Sequence, residues 1–375
     1  MLNLSTLFKA PISFFKTSHK KHFITYMIGI ILSVKFHSVN FFSKNFSDTH
    51  QSSLNHFITD SKWKVSDYIN FFHTLLPDEI LKTQTLFLAI DDTCIKRKGK
   101  KIDGIGKHHT ANGNASGQCL VTSMLTNGIK SFFHNMKGYK PKNKCKKNEF
   151  KTKIELANDI INNTAFENKY VYIMFDSWYS CKSVFTTIEN KGYYYLSRLK
   201  QNRNIILPGK SGKLKVRALA KTPGKYTKVT AGSNIFRVRK IPVILPEIGK
   251  TSLFIVKHSQ KGFFYLVSND CDLSCSKAVK YYAHRFKIET MYRDCKQYLG
   301  LEEIFMRKWE GMLKHSVMSF TAWNILKNLQ IEGVKNTLYE KIKFIQKSNS
   351  DLFKNYNKKG NYKLSCIYAD LLKAG

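Results

Sequence analysis

Residues 281–301 read YYAHRFKIETMYRDCKQYLGL, and their spacing predicts a helix from about Ser276 through Leu299. Within it, Tyr282, Arg285, Glu289 and Lys296 are separated by three, four and seven residues. At roughly 100° per residue all four fall within about 60° of one another, with Arg293 just beside the stripe. Ile288, Met291 and Cys295 project from a different side, which can face a core. One face therefore presents a single acid flanked by cations and a phenol. Glu289 can ligate a metal, Arg285 can grip a phosphate with its planar fork, and Lys296 can meet one as a point charge. Tyr282 can donate to a phosphate or stack on a base. A solvated face with an i,i+4 ion pair between Arg285 and Glu289 uses the same residues, so the rest of the chain must decide.

Upstream, the apolar run Leu86–Ile90 ends abruptly in Asp91-Asp92-Thr93. Gly117–Thr126 and Ile129–His134 read as two further strands, and Ile154, Ala157, Ile160 and Ile161 form a helical stripe. A fourth strand, Tyr170–Phe175, ends in Asp176; a helix over Cys181–Glu189 and a strand over Tyr193–Leu199 follow. This order (three strands, helix, strand, helix, strand) predicts an α/β fold with acids at the ends of its first and fourth strands. Either Asp alone reads best as a turn or helix cap. Together they suit phosphodiester chemistry, in which two divalent ions about 3.5–4 Å apart activate the nucleophile and stabilise the leaving oxygen. Such ions need hard carboxylate ligands, and strand ends at a sheet edge hold them rigidly.

Charge narrows the partner. Sixty-two Lys and Arg against 26 Asp and Glu give +36 and a pI near 9.8, so the chain repels itself unless it meets a polyanion, and nucleic acid is the usual one. The basic residues are spread along the whole chain rather than gathered in a tail, which suits an extended DNA surface. Eight cysteines without a C-x-x-C pair indicate neither a zinc ribbon nor a disulfide scaffold, and fit a reducing cytoplasm. Phe23–Val34 is apolar but shorter than the ~20 residues of a membrane span, and reads as a buried helix.

The flanks complete the division. Residues 1–80 read as a basic helical region, with Asp60-Ser61 as a cap between two short helices. Residues 201–268, punctuated by Pro and Gly, read as a β-rich insertion. It separates a first core part (81–200) from a second (269–335), and 336–375 is a basic tail with weak helix. Gly209-Lys210-Ser211 lacks the first glycine of a P-loop, and Gly104-Ile105-Gly106 lacks the third glycine of a dinucleotide site. His108-His109 is expected to lie in a loop, exposed to solvent or near DNA.

The spacing Tyr282-x2-Arg285-x3-Glu289-x6-Lys296 matches without gaps the Y-R-E-K signature of bacterial insertion-sequence DDE transposases, which this chain resembles over roughly residues 85–330. The LAIDDT and FDSWYS segments resemble that family's first and second acid motifs, and GYYYLSRLKQN the strand after the second. The resemblance implies an RNase H-like mixed sheet flanked by helices, interrupted by a β-rich insertion before the glutamate helix. It implies Asp91, Asp176 and Glu289 as ligands of two Mg²⁺ or Mn²⁺ ions, Asp91 being preferred to Asp92 because the family pattern places the acid first. It also implies DNA cleavage and strand transfer by an oligomer acting on terminal inverted repeats and target DNA in a bacterial cytoplasm. Arg198, Lys200 and the Lys-rich insertion join Tyr282, Arg285, Arg293 and Lys296 as expected DNA contacts, and Trp178 is expected to pack beneath the site.

Overall fold

The computed structural model describes residues 4–33, 37–47, 49–110, 113–146, 148–260, 262–303 and 306–348. Six helices come first: α1 (Leu4–Ile12), α2 (Thr17–Leu32), α3 (Val39–Phe46), α4 (Gln51–Thr59), α5 (Val65–His73) and α6 (Asp78–Leu81). The apolar stretch at Phe23 forms the second half of α2, where every residue from Phe23 to Leu32 is buried. That burial inside the protein, rather than a membrane, answers its composition; among the described residues no helix is long and apolar enough to cross a membrane. Asp60-Ser61 does fall between two short helices as a cap: Asp60 ends α4, its amide bonding the His56 carbonyl, while α5 starts later, after Lys64, and the Asp60 carboxylate pairs with Lys308.

The core follows as β1 (Thr85–Lys96), β2 (Gly106–Thr110), β3 (Gly113–Thr126), β4 (Ser131–Tyr139), α7 (Lys153–Asn162), β5 (Tyr170–Phe175), α8 (Lys182–Asn190) and β6 (Tyr194–Leu199). β1 pairs antiparallel with β3 and parallel with β5, and β5 pairs parallel with β6. This is the α/β fold expected from the element order, in a mixed sheet consistent with the RNase H-like core that the resemblance implies. Leu86–Ile90 is buried on both faces of β1, as a central parallel strand requires. The strand does not stop at the aspartates. Pairing with β3 carries it on to Lys96, so Asp91 and Asp92 lie inside an antiparallel ladder. β2, unrecognised in the sequence, pairs with the first residues of β3 and buries His108, whose Nε2 lies 3.1 Å from the Gly117 carbonyl; His109 is exposed.

The β-rich segment contains β7 (Asn204–Ile206), β8 (Lys213–Lys215), the short helix α9 (Val216–Ala220), β9 (Thr227–Ala231), β10 (Asn234–Leu245), β11 (Gly249–His258) and β12 (Gly262–Ser268). It is continuous with the core: β12 pairs antiparallel with β6, giving a single 12-stranded sheet. Then come α10 (Cys275–Ala283), α11 (Phe286–Tyr298), α12 (Trp309–Asn328) and α13 (Leu338–Ser348). α12 is buried over most of its length and packs against β4, α2, α4 and α11, joining the N-terminal helices to the core. Each fully buried aromatic in this core, such as Phe133, Phe175 or Phe185, contributes on the order of 2–3 kcal/mol. Of the basic tail, α13 is described and residues 349–375 lie outside the described residues.

Candidate active site

The parallel pairing of β1 with β5 sets the geometry. Ala89 is opposite Met174, so the same register carried two residues further places Asp91, inside β1, level with Asp176, just past the end of β5. The Asp91 side chain shares a sheet face with Thr122, its partner on β3, and α11 lies over that face. Tyr292 fastens helix to strand: its hydroxyl donates to the Asp91 carbonyl at 3.0 Å and lies 2.5 Å from the Thr122 hydroxyl. Asp92 points to the opposite face, as strand alternation dictates. There its carboxylate is taken up by Lys153 at 2.6 Å and by the Tyr179 hydroxyl at 3.0 Å. Lys153 arrives at that spot because a Thr152–Glu155 capping box fixes the first turn of α7.

Asp176 follows β5 and accepts the Trp178 backbone N–H at 2.8 Å, which closes a tight turn. Ser180 ties the same turn to β6, donating to the Arg198 carbonyl at 2.6 Å. Tyr282, the phenol of the signature, is buried, and its hydroxyl donates to the Phe175 carbonyl at 3.3 Å. Its place in the fold is thus behind the strand end that carries Asp176, away from solvent where a base would lie. Burial pushes its pKa up to about 12, against the pull of Arg285 and Arg198.

The expected continuous helix is broken. α10 ends at Ala283 and α11 begins at Phe286, because the amides of His284, Arg285, Lys287 and Ile288 each bond three residues back instead of four. The tightened turn swings Arg285 inward. One of its nitrogens lies 3.2 Å from Asp91 and another 2.5 Å from Glu289, so the guanidinium bridges the first and third acids. The i,i+4 pair therefore exists, but only one partner is solvated: the Arg285 side chain is 7% exposed and that of Glu289 49%. The rings of Phe286 and Tyr282 flank the guanidinium at 4.7 and 5.8 Å, and its buried Nε has no hydrogen-bond partner among the described residues.

Crowding of acids is visible in Asp91. Burial first of all, with the charges of Asp92 and Asp176 adding, raises its pKa to about 7 despite Arg285 and the bond from the Asp92 amide. A buried carboxyl held that high is only partly compensated by the one guanidinium beside it. The donor set, three carboxylates from β1, the end of β5 and the first turn of α11, is the hard-oxygen chemistry of Mg²⁺ or Mn²⁺. The Arg285 guanidinium already places a cation between two of the three. As arranged around that arginine, the described residues contain no group of three His, Cys, Asp or Glu side chains close enough to share one ion.

The remaining expected contacts fall in different places. Arg293 is exposed on α11. Lys296 is half-buried, bonding the Cys94 carbonyl at 2.8 Å and Glu302 at 2.9 Å. Arg198 and Lys200 are exposed at the end of β6, Arg198 lying over the Phe264 ring at 5.3 Å. Trp178 does not pack beneath the site; it is 49% exposed, because the Asp176 turn throws it outward. It borders an open groove of about 560 Å³ between strand ends and insertion, lined also by Lys200, Arg203, Asn204 and Lys213. Sequence reasoning missed Lys153, Tyr179 and Tyr292; the Thr152-x-x-Glu155 pattern was the one local signal for the first, and nothing local marked the two phenols.

Asp91 and Asp176 thus lie side by side on neighbouring strands, with Glu289 on a helix that follows them. The chain belongs to the transposase DDE domain family, whose profile matches residues 82–325. It is similar to a probable transposase for insertion sequence element IS701 from Microchaete diplosiphon, at 24% identity over 189 residues, 48% of this chain and 49% of the relative. The chain thus spans about half the length of that curated relative.

Proposed function

We propose that this protein is an active insertion-sequence transposase that cuts DNA at element ends and joins the freed 3′-hydroxyl to a target phosphodiester. The observation that carries the reading is the levelling of Asp91 with Asp176, with Glu289 tied to Asp91 through Arg285. Two Mg²⁺ or Mn²⁺ ions held by Asp91, Asp176 and Glu289 would activate the attacking oxygen and stabilise the leaving one. Asp91 rather than Asp92 suits this role, because Asp92 is already committed to Lys153 and Tyr179. Tyr292 and Tyr282 hold the two strand positions still. Arg285 holds Asp91 and Glu289 together and can transfer its fork to a phosphate when DNA arrives. Arg293, Arg198 and Lys200 are exposed around this centre and fit backbone contacts, and Lys296 joins them by exchanging Glu302 for a phosphate. The terminal repeats would be bound by an oligomer, since two ends must meet in one complex.

Incubation with supercoiled DNA carrying the element's ends plus Mn²⁺ tests the reading. Joined products are expected; nicks without joining would reduce the protein to a nuclease, and a mobility shift without cleavage to a binder. Asp176→Ala is expected to abolish cleavage and leave binding intact, and a variant that still cuts would remove Asp176 from the site.

A further inference from the structure

Residues 201–268 hold 14 Lys or Arg against a single acid, Glu247. Some of these cations are used within the fold: Arg239 bonds Thr222, and Lys240 bonds the Cys271 carbonyl. Three others are arranged differently. Arg237 on β10 stands opposite Lys228 on β9 and opposite Lys257 on β11, and Lys257 stands opposite Phe263 on β12. Partners in register share a sheet face. At ~4.8 Å between strands, three cations and a phenyl ring therefore form one line roughly 14 Å long. All four side chains are exposed, Phe263 to 42% and Ile235, two residues before Arg237 on the same face, to 48%.

Like charges directly opposite one another destabilise a sheet. The side chains of Lys228 and Arg237 make no hydrogen bond or ion pair among the described residues, and none of the ion pairs in those residues falls within the insertion. The Lys257 ammonium makes no ion pair among the described residues and lies over the Phe263 ring at 5.5 Å. A solvated face has no reason to align unpaired cations or to keep an aromatic ring in the same line. A phosphodiester strand satisfies both features, with phosphates along the cations and an unpaired base against the ring. We infer that the row Lys228–Arg237–Lys257–Phe263 is a binding site for single-stranded DNA, separate from the acid cluster. It deepens the transposase reading and rests on it for its biological setting: strand cleavage near the site frees single-stranded ends.

Binding of the full-length protein to a fluorescein-labelled oligothymidylate and to a mixed-sequence duplex, by anisotropy over a salt series, tests the site. The triple variant Lys228→Gln, Arg237→Gln, Lys257→Gln is expected to lower the single-strand salt slope by about two, at roughly 0.7 per lost contact. A control with the same charge change on exposed lysines of other elements (Lys82→Gln, Lys182→Gln, Lys347→Gln) is expected to lower it by less than about one. Phe263→Ala is expected to weaken oligothymidylate binding by about fivefold or more and to leave duplex binding unchanged. Matching melting temperatures verify that the variants fold. A triple variant no different from the control, or a Phe263→Ala protein that binds oligothymidylate like the wild type, overturns the assignment. Mn²⁺-dependent cleavage is scored in parallel. A wild type that never cuts but shows the slope change rejects the catalytic reading alone, and normal cutting without the slope change rejects the row alone.

Discussion

Asp91→Asn should make the metal-free protein more resistant to unfolding at alkaline pH, although it removes a proposed metal ligand. Folding raises the Asp91 pKa from 3.8 to about 7, chiefly through burial. A carboxyl raised in this way binds a proton more tightly folded than unfolded. The folded state is therefore favoured below pH ~4 and loses that advantage as pH rises toward 7. The span is about three pH units, and at ~1.4 kcal/mol per unit the loss is on the order of 4 kcal/mol. The amide cannot ionise, so it is spared this loss while still offering an oxygen to the Asp92 amide and Arg285. Urea unfolding from pH 4 to pH 8 in EDTA should then show wild-type and variant curves that meet near pH 4 and diverge above it. Added Mn²⁺ should stabilise the wild type and leave the variant unmoved. Parallel curves across the whole range would refute the argument, since they would mean that Asp91 ionises in the folded protein as easily as in the unfolded one.

Three further outcomes are expected. Lys153→Met should cost about 3–5 kcal/mol by leaving Asp92 charged and unpaired, and Asp92→Asn added to it should restore most of the loss, read by urea unfolding at neutral pH. Tyr282→Phe removes a 3.3 Å bond and should cost only about 1 kcal/mol or less in the same assay. Its cleavage rate should fall much further, toward the roughly hundredfold that a small misplacement of Asp176 brings. Lys296→Ala should lower the salt slope of duplex binding by about one if the ammonium leaves Glu302 for DNA, and an unchanged slope would leave it as a structural link to Cys94.

The core was legible because its strands are short, apolar and bounded by turns. Tyr170–Phe175 was read to the residue, and β6 and α7 to within a few residues. What was illegible depends on partners across the sheet. Leu86–Ile90 was read to stop at the acids, yet β3 supplies hydrogen bonds that hold polar residues in the same strand to Lys96. β2 and β8 have little apolar content of their own and exist because β3 and β7 offer them an edge. Such pairing is long-range and leaves no local period to detect.

The candidate site shows the same division more sharply. Helical periodicity placed Tyr282, Arg285, Glu289 and Lys296 on one stripe, and a straight helix would have left all four facing the same solvent. The shortened turn at 284–288 separates their fates: phenol and guanidinium go inward, Glu289 stays half-exposed, and Lys296 rests on β1. An inward Arg285 is what lets one cation reach Asp91 and Glu289 together, a contact across 194 positions of sequence that no spacing rule contains. The break therefore does chemical work that the intact helix could not. It turns a surface arginine into the link between an acid on the sheet and an acid on the helix.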